Sequence, residues 1–160
     1  MTVYNHIQIK TSLMQHPYLK IVIAVFLTHL TVLSFSQMNK SSERVKFLKT
    51  LNGKYPSDVN LLENPIMKRG IRTLTKDKFI FLMKNFTVQT PIVINNNFFI
   101  AEGCKAHECP ETNFIIIVDL TKDVLHIGIR ENLKIQIFSE DNSPQPEAFK
   151  NWAENEWYDK

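Results

Sequence analysis

The residues best equipped for chemistry in this 160-residue chain lie in one short stretch, 103–111, which reads GCKAHECPE. Cys104 and Cys109 are the only two cysteines, and they bracket Lys105, Ala106, His107 and Glu108. Thiolates and an imidazole could ligate zinc, but structural zinc sites need four ligands, and no second C-x2-C or H-x3-H pair stands nearby. A thiolate beside a histidine could serve as nucleophile and base, which requires a free thiol in a shaped pocket. The cysteines could instead close a disulfide, leaving His107 as the group that a small ring presents. The plainest alternative makes His107 an exposed loop residue with no role.

The choice between these depends on the compartment, and the N-terminus speaks to that. Residues 1–36 carry Lys10 and Lys20 and no acidic residue. From Ile21 to Phe35 the chain reads IVIAVFLTHLTVLSF, with small residues at Ser34 and Ser36. A basic n-region, an apolar h-region and a small-residue site make a secretory signal peptide over 1–36, cleaved between Ser36 and Gln37. The run is short for a membrane span of about 20 residues, and Thr28, His29 and Thr31 weaken it further. An uncleaved anchor or a buried helix is the competing reading. No cysteine directly follows the run, so a lipid anchor is not expected. The expected location is the periplasm or the exterior, with no stable membrane span after cleavage.

An oxidising compartment favours a disulfide between Cys104 and Cys109 over a metal or redox pair. A ring this small contributes only about 2 kcal/mol in the chain-entropy picture, so it is badly placed to staple a fold. It is well placed to fix a loop, and a fixed loop loses less entropy on docking. Stretch 104–109 therefore reads as a device that presents His107.

Removing 1–36 leaves 124 residues, enough for a single domain over 37–160. The charge is divided. Residues 37–92 hold 11 Lys/Arg against 4 Asp/Glu, and residues 93–160 hold 6 against 12. The acidic half carries the ring and would steer a cationic partner toward it. The basic half suggests a second kind of function, an envelope-binding module that contacts anionic lipid or glycan. Neither half offers paired carboxylates or a Ser-His spacing for a hydrolase, and no cofactor, metal or nucleic-acid partner is expected.

The elements around the ring fall into two blocks. Over 37–86 the pattern is mostly helical: SSERVKFLKTL, then IMKRGIRTL after Pro65, in which Gly70 weakens the helix, then KDKFIFLMKNF capped by Thr75. Over 87–140 it is antiparallel strand. TVQTPIVI and FFIAEG form a hairpin around Asn95, Asn96 and Asn97, NFIIIVDL suits a central strand, and VLHIGIRE and LKIQIFSE follow. Alternation in VLHIGIRE puts His126 on an open or partly covered face, in a structural role. A C-terminal helix over 144–157 packs back through Phe149, Trp152 and Trp157. The expected class is α+β, a meander of about five strands with helices on one face or at its ends.

CKAHEC resembles the cysteine-bracketed CKPHDC loop of Ivy-type lysozyme inhibitors, the family named for inhibition of vertebrate lysozyme. Both cysteines, the lysine and the histidine match; Glu108 stands for Asp and Ala106 for Pro. The strand pattern over 88–140 is similar too, whereas the helical stretch 41–86 resembles Ivy-like proteins outside the best-known inhibitors. The resemblance implies an exported competitive inhibitor that turns over no substrate and inserts this loop into the target's cleft. His107 would meet the two catalytic carboxylates, which a retaining glycosidase holds about 5–5.5 Å apart. Lys105 would add positive charge there, and Glu108 would pair with the target's basic rim or with Lys105. Cys104 and Cys109 would fix the loop, Gly103 would permit the turn into it, and Ala106 would leave it softer than Pro. The implied partner is lysozyme or another peptidoglycan-cleaving glycosidase. Some family members dimerise, and free strand edges would allow a homodimer here.

Overall fold

The computed structural model describes residues 43–141 and 143–154. The expected signal segment and Trp157 lie outside the described residues. Residues 43–48 form helix α1, and a turn-rich segment leads to α2, Pro65–Thr75. Asn64 caps α2, its Oδ1 accepting from the amides of Ile66 (3.0 Å) and Met67 (3.4 Å), while Pro65 takes the first turn, where its missing N–H costs nothing. Gly70 does not interrupt the helix. A Cβ there would stand 3.1 Å from Leu125 Cδ2, so the glycine allows close contact with the sheet. A 3-10 turn, Lys76–Lys78, precedes α3, Phe79–Asn85.

Thr75 does not cap α3, contrary to the sequence reading. It ends α2, buried, and its hydroxyl donates to the Ile71 carbonyl at 2.8 Å. The buried positions Met67, Ile71 and Thr75 recur every four residues, so Thr75 belongs to the core face of α2 and closes that helix.

Among the described residues six antiparallel strands form one sheet: β1 (Val88–Gln89), β2 (Val93–Asn95), β3 (Phe98–Cys104), β4 (Asn113–Asp119), β5 (Val124–Glu131) and β6 (Lys134–Ser139). The order is β1-β3-β4-β5-β6, with β2 also paired to β3. The α+β class stands. The expected first strand divides into β1 and β2 around Pro91, which cannot donate to a ladder. Asn96 (φ 49°) and Asn97 (φ 64°) make the two-residue turn between β2 and β3, in the left-handed region asparagine tolerates.

The apolar run in β4 is buried on both sides. Phe114, Ile116 and Val118 join Phe99, Leu125, Ile127 and Ile129 in a core against α2 and α3, which contribute Met67, Ile71, Phe79 and Leu82. Ile115 and Ile117 face the other way, against Phe149 and Trp152 of α4, Glu147–Glu154. That second face is therefore not open. His126 is 2% exposed, with its ring edge-on to Phe149 and its Nδ1 2.9 Å from Ser139 Oγ. Gly128 admits the aromatics: a Cβ there would lie 2.7–2.8 Å from Ile115, Phe149 and Trp152. Burial holds the His126 pKa below the ordinary imidazole value, against the opposing pull of Asp141, Asp119 and Glu140. Helix α4 starts at Glu147 rather than at the expected 144, after Pro144 and Pro146, and residues 155–157 of the expected helix lie outside the described residues.

Arg44 ties α1 to the sheet. Its Nε meets Asp123 Oδ1 at 2.6 Å, and its Nη1 and Nη2 meet the two Glu140 oxygens at 2.9 and 2.8 Å. The same guanidinium also donates to the Asp123 carbonyl.

Candidate functional site

Strand β3 delivers its last residue, Cys104, fully buried at the end of the sheet, directly opposite Asn113 of β4. Between them the chain loops out. Cys104 and Cys109 are joined by a disulfide with their Cα atoms 4.9 Å apart. Both sulfurs are consumed by that bond, so neither is available as a zinc-ligating or nucleophilic thiolate.

Inside the ring the Glu108 amide donates to the Lys105 carbonyl at 3.0 Å, closing a four-residue turn. With φ negative at Ala106 and +67° at His107, it follows the type II pattern. Ala106 and His107 form the exposed tip, while Lys105 and Glu108 flank it half-buried. Lys105 Nζ and Glu108 Oε1 are 2.5 Å apart, the intramolecular one of the two pairings expected for Glu108. That pair is exposed enough to contribute little to stability. His107 has the left-handed backbone that histidine adopts more readily than bulky apolar residues.

The ring is braced from below and from the side. The Lys105 amide donates to the Thr112 carbonyl at 3.0 Å, and the Thr112 amide donates to the Glu108 carbonyl at 2.8 Å. Asn113 Nδ2 donates to the Cys109 carbonyl at 2.8 Å. The side brace is Thr87, just after α3. Its amide (3.1 Å) and its hydroxyl (3.2 Å) both donate to the Cys104 carbonyl, and its Oγ1 accepts from the Ala106 amide at 3.1 Å. Thr87 and Asn113 escape a reading of the sequence, because Thr87 is 17 residues from Cys104 and no local pattern links them.

Gly103 has a different job from the one its position suggests. It lies within β3 and does not turn the chain. A Cβ at Gly103 would stand 2.9 Å from the aromatic ring of Phe86, so its absence lets Phe86, the residue before Thr87, pack closely against the end of β3 that leads into the disulfide ring.

A second turn shares this end of the sheet. Cys104, Asn113 and Arg130 are successive cross-strand partners on β3, β4 and β5. Asn132 and Leu133 connect β5 to β6, and the Leu133 amide donates to the Glu111 carbonyl at 3.1 Å, just beyond the ring.

Among known families, that of Inhibitor of vertebrate lysozyme (Ivy) matches residues 66–157. The chain belongs to the Ivy family. No curated protein and no solved structure gives a significant match. The Ivy match starts within α2 and takes in the whole sheet, the disulfide ring and α4; α1 and the turn-rich segment precede it. Among the described residues no helix is long and apolar enough to cross a membrane, and no group of three or more His, Cys, Asp or Glu could hold a metal ion.

Proposed function

We propose that this Ivy protein is an exported inhibitor of lysozyme-type glycosidases, and that ring 104–109 is the element it inserts into the target's cleft. The observation that carries the reading is the placement of His107 at the exposed tip of a disulfide-closed turn, in a chain of a lysozyme-inhibitor family. An imidazole has two ring nitrogens and can hydrogen-bond to two carboxylates at once, and when protonated it adds charge attraction. The acid and nucleophile of a retaining glycosidase, about 5–5.5 Å apart, offer that pair of acceptors. Lys105 stands beside the tip as further positive charge, partly offset by Glu108. Inhibition is competitive, since the ring fills the space a sugar must occupy. Residues 1–36 direct export and are removed in the process, and the mature protein works in the periplasm or outside the cell.

The envelope-binding alternative rests on the basic half. That half engages several of its cations internally: Arg44 with Asp123 and Glu140, Lys68 with Glu63, and Lys78 with Glu131. This leaves less free charge for an anionic surface, and the inhibitor reading is preferred.

The test is lysis of peptidoglycan by a c-type lysozyme while the exported protein is titrated in. Near-stoichiometric inhibition that His107→Ala abolishes supports the reading. No inhibition of c-type or bacterial lytic enzymes, together with salt-sensitive binding to anionic vesicles, would replace it with the envelope module.

A further inference from the structure

We infer that the Asn132–Leu133 turn is a second contact element for the same glycosidase target, with Leu133 docking on apolar surface beside the cleft that the ring enters. This inference rests on the inhibitor reading of the ring.

Its starting point is a local conflict. Asn132 (φ 50°) and Leu133 (φ 65°) are both left-handed, the type I′ pattern of a two-residue hairpin turn. Asparagine suits the first position. The second belongs to glycine, and a bulky apolar residue there is a conformational outlier. The Leu133 side chain gains no burial in exchange, being 68% exposed. An exposed leucine held in an unfavourable backbone is poorly explained by folding, and strain of this kind concentrates at binding sites.

The surroundings say what it faces. The Leu133 amide bonds to the Glu111 carbonyl, so the turn is fastened to the segment that leaves the ring. Lys78 Nζ meets Glu131 Oε2 at 2.5 Å at the base of the turn, where Glu131 and Lys134 are the last backbone register partners of β5 and β6. The turn is thus held at the ring's end of the sheet, on β5, two strands or roughly 10 Å from β3. An enzyme that accepts the ring must pass close to it. Interfaces of this kind set a polar plug beside apolar contacts that exclude water. A second copy of this chain, pairing along the free edge of β6, would cover Ile135 and leave the tip beyond the strand end.

The experiment compares the exported protein with Leu133→Gly, Leu133→Asn and His107→Ala, measuring Tm, sedimentation, and association and dissociation rates with a c-type lysozyme. Both Leu133 substitutions suit a left-handed backbone. The expected result is a Tm unchanged or raised, with affinity falling about five-fold, mostly through faster dissociation. Unchanged affinity in the Leu133 variants alongside lost affinity in His107→Ala would overturn the second contact and leave the ring reading intact. A parent protein that does not bind would overturn both. A Tm that falls with the affinity would assign Leu133 to the fold, and a dimer lost with affinity unchanged would assign it to self-association; either result overturns the inference.

Discussion

The ring and the β5–β6 turn protrude from the same end of one sheet and are held by different means. The ring has a covalent bond across its base, Phe86 packed against Gly103 at its root, and two hydrogen bonds with the Thr87 side chain, whose hydroxyl donates to the Cys104 carbonyl and accepts from the Ala106 amide. The turn has one backbone hydrogen bond to Glu111 and a salt bridge at its foot. A polar tip must be aimed to within a fraction of an ångström to reach two carboxylates, whereas an apolar contact tolerates sliding. The heavier bracing falls where direction matters.

Removing the aimed group itself should have the largest effect. His107→Ala is expected to cost about 2–4 kcal/mol of binding, the range for an interface anchor, with only a small fall in Tm, because the side chain is exposed and alanine suits the left-handed backbone less well than histidine. A loss under three-fold in a titration of lytic activity would mean that the ring is not the plug. Opening the ring comes next. Cys104→Ser with Cys109→Ser should cost about 2 kcal/mol of stability by chemical denaturation, and more than that in inhibition if the loop must be rigid. Gly103→Ala should cost about 1–3 kcal/mol, because Phe86 must withdraw from the added methyl. Its affinity loss should exceed that of a matched substitution in the β5–β6 turn.

Thr87→Val keeps shape and removes the hydroxyl. The expected loss is about 1 kcal/mol of affinity, read as faster dissociation, with Thr87→Ser restoring most of it. Adding Ala106→Pro to Thr87→Val should recover part of the loss, since proline suits the second position of a type II turn and has no amide needing a partner. Failure of that rescue would mean that Thr87 acts by something other than fixing the turn. The smallest effect concerns pH. His126 is buried with a pKa below its unfolded value of about 6.5, so the unfolded chain binds the extra proton first. Its contribution to stability should be complete above about pH 6.5 and fade as pH falls toward the folded pKa. His126→Gln should flatten that slope in urea titrations, leaving the ring's inhibition unaltered at pH 7.5.

Much of this arrangement is legible in the residues. The cysteine pair announces the ring, the run NFIIIVDL announces a central strand, and alternation places His126 and Gly128 on one face. What escapes is contact between distant segments. Nothing near His126 says that Phe149 and Trp152 will cover it. Thr75 carries the signature of a cap, and only burial of its side chain turns it inward. Gly103 looks like a turn residue until Phe86 is seen packed against it. Leu133 had a signal that could have been read: two residues separating two alternating runs imply a tight hairpin, which removes Leu133 from the strand.

Arg44 bears on where this protein may be cut. The Ivy match begins at residue 66, but Asp123 and Glu140, both inside it, find their counter-charge on α1. The buried side chains of Leu48, Leu51 and Leu61 also come from before the match. A fragment trimmed to 66–157 would keep the ring and lose part of its foundation, exposing two carboxylates and an apolar hollow. The stretch that marks the kinship and the stretch that can fold by itself are two different lengths of chain.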